Sequence, residues 1–119
     1  MRHIAAALGE LALIVALCAG NMAALTRRLD EVDAALAAAQ ESAGPEELEK
    51  ARALWESAGV WLHATQPHQA MDAVGEALER ARVYLVEGRT AELRAALAAA
   101  RDGVEALRYR ERLTLGNVL

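Results

Sequence analysis

The most constraining stretch of the chain is Ile4 to Leu25, an apolar run whose only strongly polar side chains are Glu10 and Asn21. At 1.5 Å rise per residue its 22 residues reach roughly 33 Å as a helix, enough to cross a hydrocarbon core of about 30 Å. Arg2 and His3 precede it, and Arg27 and Arg28 come just after it. The run therefore reads as a transmembrane anchor or uncleaved signal anchor over residues 1–25, with a helical domain over residues 26–119. Three other readings compete. Arg2–His3 would also serve as the charged region of a cleaved secretory signal, with Cys18-Ala19-Gly20 as the cleavage site. Cys18 would be the acylated residue of a lipoprotein signal, against which stands the bulky Leu17 before it. The run would finally serve as a buried helix of a soluble bundle.

Periodicity links the run to the polar residues beyond Thr26. Leu8, Leu11, Val15, Cys18, Met22, Leu25, Leu29, Val32, Leu36 and Ala39 recur at alternating steps of three and four. Such a heptad seam predicts one continuous helix over about 3–42. The off-seam residues change character at Thr26. Before it they are mainly Ala, Leu, Ile and Gly; after it come Arg27, Arg28, Asp30, Glu31, Asp33, Gln40 and Glu41. A helix in water throughout would carry charge on its outer face from the start, so the change marks an expected membrane boundary. Cleavage at Gly20 would still leave the Leu25–Ala39 seam intact.

A second stripe holds small residues: Ala5, Gly9, Ala12, Ala16, Ala19 and Ala23. Small residues let helices approach closely in lipid, although 29 alanines in the chain make such a stripe unsurprising. Glu10 borders it. A carboxyl within a span suggests a partner or a protonated state, but Glu10 lies about two turns from the N-terminus and can also snorkel to the interface. The short N-terminal tail needs little to remain inside, which places the N-terminus in the cytoplasm and the helical domain outside.

Three further helices are expected. Gly44-Pro45 ends the first, and Pro45 with Glu46, Glu47 and Glu49 suits the start of a second, over about Pro45–Ala64. Its apolar stripe is Leu48, Ala51, Trp55, Ala58 and Leu62, and Trp55 and Trp61 are expected as packing residues. Pro67 disfavours helix at Gln66, and the third helix runs over about Pro67–Glu87 on Ala70, Met71, Val74, Leu78, Ala81 and Leu85, to a stop at Gly88. Thr90 is the expected N-cap of the fourth, over about Ala91–Leu113, with Leu93, Leu97, Ala100, Val104 and Leu107 inward. Arg108, Arg110 and Arg112 fall in its expected last turns, where cations suit the negative helix end. Abundant Ala, Leu, Glu and Arg with no Phe and two Pro support an all-α chain. Its architecture is a long N-terminal helix, membrane-embedded in its first half, plus three helices forming a small antiparallel bundle.

Little chemistry can be read. A net charge of −4 with acids and bases interleaved argues against a nucleic-acid surface. The single cysteine excludes an internal disulfide. There is no Gly-rich phosphate loop, and no nucleophile–base constellation stands out. The one metal-like group is His63, His68 and Asp72; His68 and Asp72 are four apart, but His63 lies across the Pro67 break. Capping and surface roles suit these three better, as solvated ion pairs suit Glu76–Arg80 and Glu79–Arg82. No catalytic, cofactor or metal residue is assigned.

Trp61-Leu62, His68, Asp72, Leu78, Tyr84-Leu85 and the closing run from Leu113-Thr114-Leu115 to Gly116-Asn117-Val118-Leu119 carry a resemblance. They resemble an uncharacterised family of short bacterial, mostly Gram-positive proteins catalogued as a domain of unknown function. The resemblance implies an N-terminal hydrophobic segment, a helical domain and a tail, Leu115 to Leu119, docked on the bundle with Asn117 as a turn or cap. It implies no activity. The expected function is that of a small membrane-anchored structural or interaction protein of the bacterial envelope, not an enzyme. Lipid and a protein partner, or self-association through helix faces, are its expected contacts. The alternative is a soluble homo-oligomer that buries the apolar helix between protomers.

Overall fold

A computed structural model of the chain describes residues 2–62 and 66–118. Within them lie four helices: α1 (Arg2–Ser42), α2 (Pro45–Leu62), α3 (His68–Val86) and α4 (Thr90–Val118). The molecule is an elongated rod, 69 × 23 × 18 Å. Its length comes from α1, 41 residues without a break, which crosses the change in composition at Thr26 as one helix.

The second half of α1 joins the other helices in an antiparallel bundle. α1 packs on α2 and α4, and α4 packs on α3, while α2 and α3 touch only slightly. The core uses the anticipated stripes. Leu25, Leu29, Val32, Leu36 and Ala39 of α1 are buried, as are Leu48, Ala51, Trp55, Ala58 and Leu62 of α2. Met71, Val74, Ala77, Leu78 and Ala81 of α3 meet Leu93, Leu97, Ala100, Val104 and Leu107 of α4. Alanines alternate with leucines, so the helices approach closely without large aromatic cores. Gly103 shows how closely: a Cβ there would stand 2.6 Å from Val74 Cγ2.

The turns obey their local chemistry, with differences of detail. α1 ends with Ala43, not a glycine, in the left-handed region (φ 52°). A Cβ on Gly44 would lie 2.5 Å from the Glu47 carboxylate, the mobile end of a side chain that can swing aside. Gly88 (φ 72°) ends α3 as expected. The Arg89 N–H donates to the Tyr84 carbonyl and the Gly88 N–H to the Leu85 carbonyl, the paired bonds of a Schellman stop. The Arg89 guanidinium lies 5.2 Å from the centre of the Tyr84 ring. Pro67 is extended and sits just ahead of α3. The expected end of the second helix at Ala64 falls, with His63 and Thr65, outside the described residues.

The largest departure is at the C-terminus. α4 continues through Gly116 to Val118 rather than ending near Leu113, so most of the tail is helix. Leu119 lies outside the described residues, as do the side chains of Leu115, Asn117 and Val118 on which tail docking would turn. Arg108, Arg110 and Arg112 are accordingly not at the negative end of the helix, and no basic residue occupies its last turn. Arg108 instead reaches across to α1, which a spacing argument within one helix does not reveal.

Candidate functional site

Two surfaces stand out, and each is built by an absence of cover. The first is the outer half of α1. Ile4, Leu8, Leu11, Leu13, Ile14, Val15 and Leu17 are all 41–66% exposed. They cover roughly two thirds of the circumference at about 100° per residue, and the small residues Ala5, Gly9, Ala12 and Ala16 fill the remaining face. None of the 18-residue apolar window in α1 is buried, and the helix is long and apolar enough to cross a membrane. Gly9 and Gly20 face open space, and Glu10 and Cys18 are exposed.

Where the apolar half enters the bundle, polar groups collect. The Arg28 guanidinium donates to Ser57 Oγ at 3.2 Å, tying α1 to α2. The Gln66 side-chain amide donates to the carboxylate of Glu111, which is the one buried charged residue among those described. Together they clip the α2–α3 connection to α4. Further along, α1 and α4 are bound by a polar seam. Arg108 reaches Asp30 at 2.8 Å and Asp33 at 3.6 Å. Arg101 meets Asp33 at 3.1 Å and the Gln40 side chain at 3.1 Å, and Arg94 donates to the Gln40 carbonyl. These contacts fix register rather than create a reactive group, since each of these arginines faces an acceptor.

The second surface is a groove of about 570 Å³ between α2 and α3. Trp55 and Met71, both mostly buried, form its floor. Gly59 and Gly75 thin its walls, and Val60, 75% exposed, stands at its edge. Glu56, Asp72, Glu76 and Glu79 rim it. Glu79 is engaged by Arg82 and, at 3.9 Å, by Arg52. The Arg82 hydrogen bond holds the Glu79 carboxyl below the usual carboxylate range, and Arg82 is raised in return. At the far turn, Glu92 is lowered by its own backbone N–H and by Arg89, whose own pKa is raised chiefly by Glu92. Both pairs are solvated, and neither suits general acid or base work near neutrality.

His68 and Asp72 lie on α3 and are exposed; His63 lies outside the described residues. Among the described residues no group of three His, Cys, Asp or Glu is arranged to hold a metal. Trp55 takes the packing position expected of it, while the side chain of Trp61 lies outside those described. The Glu79–Arg82 pair is present. The groove was not foreseen. Its signal lay in the sequence as Trp55 four residues before Gly59 and Met71 four before Gly75, with acids beside each.

The family model for a domain of unknown function, DUF4363, matches residues 18–118. The chain belongs to that family. The match begins inside the apolar run and takes in the whole bundle, so the DUF4363 unit includes the junction at Thr26 as well as the four-helix core. No curated protein matches the chain, and no solved structure does. The DUF4363 assignment brings no activity with it.

Proposed function

We propose that this DUF4363 protein is a small membrane-anchored, non-catalytic interaction protein, held in the bilayer by residues 2–24 and presenting its bundle on the extracytoplasmic side. One observation carries the reading: apart from Glu10, the outer half of α1 is apolar on all its faces, and none of its apolar window is buried. Leaving a large apolar side chain in water forgoes about 1.5–3 kcal/mol. The seven exposed Ile, Leu and Val side chains before Cys18 thus represent on the order of 10 kcal/mol, comparable to the whole stability of a small domain. Such a rod demands a cover, and a hydrocarbon core covers all sides at once. Arg2 on one flank and Arg27 and Arg28 on the other suit the two interfaces.

Fractionation of cells expressing the full chain tests the anchor. The intact protein is expected in the membrane fraction, resisting alkaline extraction, with a mature N-terminus upstream of Ile4 by mass spectrometry. Recovery as a discrete soluble oligomer would overturn the membrane reading in favour of an apolar helix buried between protomers. A mature N-terminus at Cys18 or near Gly20 would replace the anchor with a processed signal. For sidedness, a Cys18→Ser, Ser42→Cys chain is expected to react with a membrane-impermeant maleimide in intact cells; protection until lysis places the bundle inside.

A further inference from the structure

We propose that the groove between α2 and α3 docks a cationic amphipathic helix of a partner protein. The proposal rests on the reading of this chain as an interaction protein but not on its membrane anchor. Three features of the groove point to that occupant. First, the α2–α3 seam is the open one. The other neighbouring pairs, α1–α2, α1–α4 and α3–α4, pack extensively, while α2 and α3 barely touch and leave about 570 Å³ between them. Its α3 wall runs from Met71 to Glu79, roughly 12 Å at 1.5 Å per residue. That matches two turns of a helix presenting apolar side chains at i, i+3, i+4 and i+7.

Second, the two glycines leave room that internal packing does not use. A Cβ on Gly75 would meet nothing within 4 Å, and one on Gly59 only the Met71 methyl at 3.9 Å. Gly103 differs, since Val74 fills the space its missing side chain leaves. Low walls over a Trp55 and Met71 floor admit a helix backbone, and methionine adapts to varied apolar side chains.

Third, the rim has one sign. Four carboxylates line the groove and no cation does. Among the described residues only Glu79 of the four has a salt bridge; Glu56, Asp72 and Glu76 have none. Lysines or arginines flanking an apolar stripe would complete them, and charge complementarity of this kind steers association. The same rim repels phosphate, which argues against nucleic acid and anionic headgroups. In a second copy of this chain Arg94, Arg101 and Arg108 are committed to the α1–α4 seam and are not offered to the groove.

The test uses the full-length chain in a non-ionic detergent micelle, with empty micelles as blank. The probe is a fluorescein-labelled peptide of leucine and lysine, its leucines on one helical face; a leucine–glutamate peptide of the same pattern is the control. Fluorescence anisotropy is expected to show saturable binding of the lysine peptide only, weakening several-fold between about 50 and about 500 mM salt as exposed charges are screened. Gly75→Leu fills the groove and is expected to weaken binding about tenfold or more, which corresponds to about 1.4 kcal/mol. Val60→Arg, at an exposed position, is expected to weaken it with the fold intact by circular dichroism. The triple variant Glu56→Gln, Asp72→Asn, Glu76→Gln is expected to lose the salt dependence. Hydrogen exchange should slow over residues 55–60 and 71–79 when peptide is bound. Absence of binding, equal binding of the glutamate peptide, or unchanged binding in both Gly75→Leu and Val60→Arg overturns the proposal. So does concentration-dependent self-association of the chain that Gly75→Leu abolishes, because the occupant would then be a second copy. None of these results bears on membrane fractionation, so the two readings fail separately.

Discussion

The two halves of α1 share one helix and one heptad seam, yet their fates are opposite. Leu25, Leu29, Val32, Leu36 and Ala39 are buried by α2 and α4, while Leu8, Leu11 and Val15 in the same register are exposed. A seam therefore states that a helix has an apolar line; it does not state what covers it. The flanking positions do. Beside Leu29 and Leu36 stand Asp33 and Gln40, which bind Arg101 and Arg108 of α4, and Arg27, Glu31 and Glu41 turn the far side to water. Around Leu11 stand Leu13, Ile14 and Leu17, exposed and apolar, so that half has no aqueous face at all.

The sharpest way to break this contrast is to truncate matched leucines. Leu36→Ala, at a fully buried position, is expected to cost about 3 kcal/mol in chemical unfolding of the bundle. Leu11→Ala should change that unfolding by less than about 0.5 kcal/mol. Similar losses would mean that the outer half is folded into the bundle's core. Ile14→Arg probes the opposite property. It is expected to oppose insertion by about 2.5–3.5 kcal/mol and move protein out of the membrane fraction while the bundle's unfolding midpoint stays unchanged.

Next in size is the contrast between filled and empty space beside glycines. Gly103→Ala forces a Cβ against Val74 and is expected to destabilise by about 1–3 kcal/mol. Gly75→Ala meets open space and should stabilise by roughly 0.5–1 kcal/mol through helix propensity. A smaller effect is expected at the α1–α4 seam, where Arg108→Ala removes contacts to Asp30 and Asp33 for about 1 kcal/mol, less at high salt. The smallest concerns acid. The Glu79 carboxyl is held below its ordinary value by Arg82. A lowered folded-state pKa gives stability that is full above the unfolded value of about 4.3 and fades as pH falls through the folded one. Glu79→Gln should therefore remove that small contribution at neutral pH, leave stability in strong acid nearly unchanged, and so flatten the acid side of the stability–pH curve slightly.

Much of the fold was legible because helix boundaries here are written in local chemistry. The stripes Leu48–Leu62 and Leu93–Leu107 and the Gly88 stop each depend on residues a turn apart, and the structure uses them as read. Misread features depended on distant partners. Arg108 looked like a helix-end cation because its acceptors, Asp30 and Asp33, lie more than seventy positions away in sequence. The extension of α4 to Val118 passes through Gly116, which local propensity counts against it. The groove escaped notice because it arises from a contact that is not made, between α2 and α3, and stripe patterns describe only the contacts that are.

The continuity of α1 also makes it a phase-locked shaft. With no break from Arg2 to Ser42, the azimuth of the α2–α3 groove about the helix axis is set by residue count. One alanine inserted between Gly20 and Asn21 turns the bundle about 100° and raises it about 1.5 Å relative to the outer half. Seven restore the facing to within about 20° while lifting the bundle by roughly 10 Å. A partner approaching along the membrane would then meet the groove at a new height but from the same side, so the residue count between Leu17 and Leu25 sets the direction in which this domain looks.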